Sequence, residues 1–453
     1  MLKAGFLPLY LDLYDQIDPQ MRSMFGIFIQ RIKTLLRDEV ELIESDIATD
    51  ERRIRAFFQE LSDADLVITI HLAYSPSLLV AKAMSDFGRP ILILDTSISY
   101  SLDPEDDHYL MLNHGIHGVM DLTSVLTAND VGFNIIAGHP DDESFAQKIK
   151  DFLRGLELAS LFGNQRIGIT GKPFEGMGDF AVDFDDMQKK YEVEVIPIEP
   201  SAIVKRAAGV GDDEVKDQMK RDGDMYAFES VTDQVHENSV RVFLALKALL
   251  HEEQCTGYTM NFQHITDQFA APFYACSRLM SERIGYAGEG DILTACLGRP
   301  LNRSASRAMF SEMFCADWKD GLILMSHMGE TDVRFCRSGF KPRLVPKKAL
   351  FNKHDSLIIL FETGIVPITI VNIAGDPVHG FRLIACVAEL LDTPVYDSIG
   401  SPHFVMKPTV PVDDFLEWYA SCGGGHHLYV ADGNLLPQIR EMARNLNFGF
   451  FAP

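Results

Sequence analysis

The sequence predicts an α/β protein with two Rossmann-like parallel-sheet domains followed by a β-rich domain of antiparallel, barrel-like character. Three observations predict it. Helical and strand-like patterns alternate up to about residue 163, the alternation restarts at Asn164, and from about residue 311 strand-like runs follow one another without helices between them. Alternation at this spacing means βαβ units with helices on both sheet faces, whereas dense strands separated by Gly, Pro, Asn and Asp mean an antiparallel sheet or barrel. A chain of 453 residues also exceeds what one core accommodates, so domains at 1–163, 164–310 and 311–453 are expected.

The elements follow in order. GFLPLYLDLYD opens as a strand, residues 20–34 carry apolar side chains at helical spacing, and DLVITIHLA is a short apolar run of buried-strand type. SPSLLVAKAMSDFG reads as a helix ending near Gly88, and RPILILDTS as the next strand. After Asn164, QRIGITG, DFDDMQKKY and EVEVIPIE read as strand, helix, strand. GLILMSHMG, SLIILFETG, VPITIVNIAG and GFRLIACVAEL supply the C-terminal strands, and helices return at DDFLEWYASC and NLLPQIREMARNL.

Composition narrows the function. A formal net charge of −24 argues against binding nucleic acid or anionic membrane through bulk electrostatics. No stretch reaches the roughly 18 apolar residues of a membrane span, and the N-terminus has no secretory signal pattern. Seven cysteines without a C-x-x-C pair fit a reducing compartment, so a cytoplasmic location is expected.

Two motifs are set aside. GITGKPFEGMG lacks the order of a phosphate-cradling loop and reads as a loop after a strand. GHPDDESF is similar to the signature of zinc-dependent sugar deacetylases, which would use His139, Asp141 and Asp142. Its acidic residues equally open the helix that follows, where carboxylates meet the positive end of the helix dipole.

The chemically informative stretch is AAPFYACSRLMSERIGYAGEGDILTACLG (270–298), in which a helix is expected to end at Gly285 with an exposed turn after it. Glu289 lies between two glycines, where a backbone can approach a ligand closely. Taken alone, Gly-Glu-Gly-Asp is equally a turn and helix cap. The segment closely resembles the Ala-Glu-Gly-Asp region of L-arabinose isomerases, whose glutamate binds a divalent metal. ITIHLAYSPSLLVAKAM, LNHGIHGVMDL, SHMGE and GGGHHLYVADGN resemble further elements of that family in the same order, and GFLPLYLDLYD is closer to the start of some fucose-isomerase-like members.

The resemblance implies a metal-dependent aldose–ketose isomerase working through an ene-diol. Glu289 matches the first metal-binding glutamate. The family's Phe-Met-Glu-Asp is set against FCAD, which puts Ala316 in place of the glutamate. Asp317-Trp318 resembles the Asp-Trp of L-fucose isomerases, so Asp317 is expected as the second ligand. His427, the second of the tandem His426-His427, is expected as the third. Glu289 and Asp317 are also the expected acid–base pair, with Mn²⁺ the expected ion.

By the same resemblance His117, His426, His327 and Tyr10 bind substrate, with His117 and Tyr10 reaching a neighbouring subunit's site in a trimer or hexamer. His327 and Glu330 are equally orienting groups behind the ligands or ordinary polar residues at a strand end. The substrates implied are L-arabinose, L-fucose or D-arabinose. An anionic sugar, such as a sulfonated hexose, is implied if the basic run Arg337, Lys341, Arg343, Lys347, Lys348 meets it; otherwise that run is a solvated strand edge. A non-catalytic sugar-binding protein on the same fold is the competing class.

Overall fold

A computed structural model describes residues 1–265, 269–348, 352–376 and 378–453. The chain divides into two compact units, Met1–Arg154 and Gly155–Pro453.

The first unit is built on five parallel strands, β1 (Leu2–Leu9), β2 (Val40–Glu44), β3 (Leu66–His71), β4 (Ile91–Asp95) and β5 (Asn134–Ala137), in the order β2-β1-β3-β4-β5. Every residue of β3 is buried, as its unbroken apolar run requires of a strand covered on both faces. From β1 the chain runs outward to β2 and then returns to the other side of β1 to add β3. Such a reversal opens a crevice at the carboxyl ends of the strands. Tyr10 follows β1 directly there, and His71 ends β3.

The second unit begins with β6 (Arg166–Thr170), β7 (Glu194–Pro197), β8 (Ala227–Phe228), β9 (Gly257–Met260) and β10 (Gly285–Gly288). Four of these form a parallel sheet in the order β10-β9-β6-β7. β10 departs from the sequence expectation. The helix ends at Ser281, and the GYAG that follows is a fully buried strand, not an exposed turn. Its glycines permit this, since Gly285 pairs directly with Gly257 of β9 and no side chain separates the backbones from their neighbours.

The remaining strands are β11 (Ala308–Asp317), β12 (Leu322–Ser326), β13 (Arg343–Lys348), β14 (Asp355–Leu360), β15 (Val366–Asp376), β16 (Gly380–Leu390), β17 (His403–Pro408), β18 (His427–Asp432) and β19 (Gly449–Phe451). Six of them close an antiparallel barrel, β15-β18-β11-β12-β17-β16 and back to β15, with β19 added in parallel to β16. Closure leaves those six strands no free edge and fixes their register. SLIILFETG lies outside the barrel: as β14 it joins β13 and β8 in a separate three-stranded sheet. One apolar core, running from Leu158 to Phe448, serves the parallel sheet and the barrel together.

Candidate active site

Barrel register sets the site. Glu312 of β11 stands opposite His427, the first residue of β18, and opposite Ser326, the last of β12, after which His327 follows. Glu289 arrives from the end of β10. His427 Nε2 lies 3.1 Å from Glu312 Oε1 and 3.6 Å from Glu289 Oε2. His327 Nε2 lies 3.4 Å from Glu312 Oε1, and His426 Nε2 lies 3.7 Å from Glu289 Oε2. One donor atom from each of Glu289, Glu312, His426 and His427 falls within 4.8 Å of the others, a spacing that suits a metal ion.

Each imidazole is backed by its own carboxylate. His427 Nδ1 pairs with Asp291 at 2.9 Å, His327 Nδ1 with Glu330 at 2.7 Å, and His426 Nδ1 with Asp179 at 2.6 Å. A carboxylate behind Nδ1 fixes the tautomer and aims the Nε2 lone pair forward, which is how metal-binding histidines are usually held. Among buried polar atoms, His427 Nε2, His327 Nε2 and Glu289 Oε2 have no hydrogen-bond partner. Leaving such atoms unsatisfied costs about 1–3 kcal/mol each, so convergence of three on one spot fits a cation and is hard to explain without a ligand.

Electrostatics in the ion-free state agree. Burial alone would push His327 down, but the charge and hydrogen bond of Glu330, with Glu312 and Glu289 beyond, lift its pKa to about 9. Burial opposes ionisation of Glu330, yet His327 and Tyr286, whose hydroxyl donates to it at 2.6 Å, hold it down at about 2. Burial would raise Glu312, but the imidazole of His427 facing it, with His327 and His426 beyond, holds it below the ordinary carboxylate range. Carboxylates that hold protons on imidazoles in this way offer a divalent cation a place to replace those protons.

The backbone is shaped for the site. Glu289 adopts a left-handed conformation, φ 61°, at a cost of roughly 1–3 kcal/mol of the kind found at functional positions. Gly290 follows at φ 82°, and a Cβ there would meet Pro173 at 2.6 Å, so only glycine admits the segment after β6. Asp291 serves twice: Oδ1 accepts the Thr294 N–H at 2.8 Å and caps the helix Ile292–Ala295, while Oδ2 holds His427. At the histidine pair, Gly425 N–H donates to the buried Asn372 side chain at 3.2 Å, and the Asn372 amide donates to the His427 carbonyl at 2.7 Å.

The sequence profile of the L-arabinose isomerase central domain matches residues 182–306. The L-arabinose isomerase of Geobacillus thermodenitrificans (strain NG80-2) is 23% identical over 440 residues, which are 91% of this chain and 86% of that protein. That of Shouchella clausii (strain KSM-K16) is 23% identical over 94% of this chain and 88% of its own length, and that of Pediococcus pentosaceus 24% over 88% and 87%. The chain is similar to L-arabinose isomerases along most of its length. That similarity supports an enzyme of the aldose–ketose isomerase class. A periplasmic solute-binding protein from Actinobacillus succinogenes with bound D-allose overlays at a TM-score of only 0.18 with 11% identity, covering 67% of this chain and 89% of its own.

The expected residues fall in different places. Glu289, His426 and His427 are brought together. Asp317 is not: it is exposed at the far end of β11, where its carboxylate accepts the N–H groups of Lys319 and Asp320 in the hairpin turn. The carboxylate of β11 that reaches the cluster is that of Glu312. Two Phe-led frames, Phe310–Met313 and Phe314–Asp317, lie four residues apart on this one strand. The fucose-isomerase-like ligand set of Glu289, Asp317 and His427 is corrected accordingly.

His327 lies at the cluster, with Glu330 directly behind it. His117 and Tyr10 belong to the first unit: His117 is exposed in the first turn of the helix Gly115–Ala128, and Tyr10 is buried against Tyr14 and Phe25. Glu312, Asp179 and Phe180 were missed. Asp179 meets its partner across 247 positions of sequence, a distance no local pattern signals.

The deacetylase motif is accounted for structurally. His139 Nε2 faces the Ile98 carbonyl at 3.2 Å and Nδ1 accepts from Asp141 N–H at 3.1 Å, so both ring nitrogens are engaged. Asp141 pairs with Arg31, and Asp142 accepts the Ser144 N–H at the start of the following helix. Most of the basic run is likewise engaged internally. Arg337 pairs with Glu362, Arg343 with Glu229 and Asp397, and Lys347 donates to Gly400 O and Ser401.

Proposed function

We propose that this chain is a metal-dependent isomerase of open-chain sugars, with Glu289, Glu312, His327 and His427 holding a divalent cation. The reading is carried by the three buried atoms, His427 Nε2, His327 Nε2 and Glu289 Oε2, that face one another without partners. Two carboxylates and two imidazoles suit Mn²⁺ or a similar borderline ion better than a thiolate-seeking one. Bound there, the cation would act as a Lewis acid toward two neighbouring sugar oxygens.

The chain's own groups do the rest. Interconverting an aldose and a ketose moves a proton between adjacent carbons through an ene-diol. Glu289 and Glu312 are the carboxylates placed to take that proton and to manage the hydroxyl proton, each step contributing roughly 10²–10⁴-fold. Phe180 lies parallel to the His427 ring, 5.0 Å between centroids, and keeps water from that face. His426, at the open side of the cluster, faces the substrate.

The first unit supports a shared site. His71 Nε2 and Thr96 Oγ1 are buried without partners at the carboxyl ends of β3 and β4, the end of a doubly wound sheet where ligands bind. His117 and Tyr10 at that end would complete a neighbouring subunit's site in a trimer or hexamer, as the family resemblance implies. Unpaired cysteines fit a cytoplasmic setting, and no helix among the described residues is long and apolar enough to cross a membrane. With most of the basic run engaged by carboxylates and backbone, neutral aldoses such as L-arabinose are the substrates to try first.

The test is a measurement of bound metal by elemental analysis, with a panel of neutral and anionic aldoses turned over with and without Mn²⁺. Stoichiometric ion and chelator-sensitive turnover of a neutral aldose are expected. Full turnover by rigorously metal-free protein would sink the mechanism, and metal binding without any turnover would favour a sugar-binding protein on this fold.

A further inference from the structure

The segment that leaves β6, residues 171–183, crosses the cluster before the helix Phe184–Tyr191 begins, and it is tied down at both ends. At the near end, Asn261 donates to the Lys172 carbonyl at 3.0 Å and Phe174 N–H donates to the Glu289 carbonyl at 2.9 Å. At the far end, Asp179 Oδ2 accepts both the His426 main-chain N–H at 3.0 Å and its ring Nδ1–H at 2.6 Å, and Phe180 covers His427. Between the anchors, Glu175, Gly176 and Gly178 are exposed, and a Cβ on either glycine would meet nothing within 4 Å.

The three carboxylate-backed imidazoles are therefore unequal. His327 and His427 expose 3% and 2% of their side chains, and their Nε2 atoms are sealed within the cluster. His426 exposes 39% of its side chain, and its Nε2 lies 3.7 Å from Glu289 Oε2 at the edge of the cluster. Asp291 and Glu330 aim their histidines inward at the ion; Asp179 aims His426 at whatever enters.

We propose that Asp179 is a positioning residue of the isomerase site: carried by the 171–183 strap, it holds the His426 ring so that Nε2 meets the substrate beside Glu289. The proposal rests on the isomerase reading above. Two hydrogen bonds from one residue to one carboxylate oxygen fix both the backbone and the ring, so neither rotation about the side chain nor drift of the glycine turn before it moves Nε2. Loss of Asp179 frees the ring to rotate away, and a small misplacement of a substrate-facing group is costly in the transition state.

The test uses the full-length protein with Asp179→Asn, Asp179→Glu, His426→Asn and the Asp179→Asn/His426→Asn double variant. One readout is free of activity: the strongly deshielded imidazole N–H proton of a carboxylate-bound histidine, followed by NMR in ion-free protein. That resonance should vanish in Asp179→Asn and in His426→Asn, and return in Asp179→Glu. With Mn²⁺ and L-arabinose, or another aldose that the wild type isomerises, Asp179→Asn should keep its bound ion and lose at least about tenfold in kcat, with partial recovery in Asp179→Glu. The double variant should be no worse than His426→Asn, because residues acting through one another are not additive.

A resonance unchanged in Asp179→Asn, losses that multiply in the double variant, or loss of the ion in Asp179→Asn would each overturn the proposal. If the resonance behaves as expected and the wild type turns over no aldose, the pairing stands and the isomerase reading falls instead.

Discussion

Two buried clusters in the second unit each set histidine against carboxylate, and they differ in what they leave over. Asp222, fully buried, accepts from Gln218 Nε2 at 2.9 Å, His236 Nε2 at 2.8 Å, Tyr274 Oη at 2.6 Å and Arg278 Nη1 at 2.9 Å. Both of its oxygens are occupied and its charge is matched by a guanidinium. Around Glu289 and Glu312 the outer partners are satisfied just as fully, through Asp291, Glu330 and Tyr286, while the inner atoms are not. A chain able to saturate Asp222 could have saturated Glu289. Residue types alone therefore do not mark a site; unfilled valence on well-held side chains does.

The sharpest way to break that contrast is to remove one inner carboxylate. Glu312→Gln keeps size and loses the charge that faces His327 and His427. Bound metal should be lost and turnover should fall by about 10²–10⁴-fold, the range for removing a catalytic carboxylate. The fold should persist, since the change also relieves repulsion between Glu289 and Glu312. Normal metal content and turnover in this variant would remove Glu312 from the ligand set.

Asp222→Asn should give the opposite pattern. It leaves Arg278 and His236 buried beside a neutral amide, and breaking a buried pair of this kind costs about 3–5 kcal/mol. Denaturant unfolding should show that loss, while metal bound per folded molecule stays as in the wild type. If metal were lost with stability intact, the distinction between the saturated and unsaturated clusters would not hold.

Chelation sharpens the contrast further. An ion that binds only folded protein stabilises it by about 2.7 kcal/mol at a hundred times its dissociation constant. Chelator should therefore lower the melting temperature of the wild type and of Asp222→Asn, and leave Glu312→Gln unmoved. Equal shifts in all three would place the ion somewhere else.

What the sequence made legible follows the range of each interaction. β3 and β15 were readable because buried strands need unbroken apolar runs, and the helix Phe184–Tyr191 because Asp183 caps it by accepting from Asp185 and Asp186 nearby. β10 was not, because four small or paired residues with two glycines look like a turn until a neighbouring strand packs on them. At the site, Glu289 and the histidine pair stood out through the resemblance of their glycine-flanked segments to L-arabinose isomerases. Glu312 did not, because its importance comes from lying opposite His427 across a barrel that closes more than a hundred residues later. Asp179 sits in a loop whose glycines describe flexibility and say nothing of its partner.

The smallest expected effect is the one that separates strand position from residue type. Asp317 and Glu312 are both acidic and share β11, five positions apart. At about 3.3 Å per residue they are separated by roughly 16 Å along the strand, whereas ligands of one cation sit about 2.0–2.6 Å from it. Both cannot bind the same ion. Asp317 has local work of its own, taking the Lys319 N–H at 3.0 Å and the Asp320 N–H at 3.1 Å. Asparagine makes the same turn, because its side-chain carbonyl accepts as a carboxylate oxygen does. Asp317→Asn should therefore leave metal content and turnover as in the wild type and shift stability by no more than about 0.5 kcal/mol. A loss of bound metal in this exposed variant, with Glu312→Gln retaining it, would move the centre to the other end of the strand.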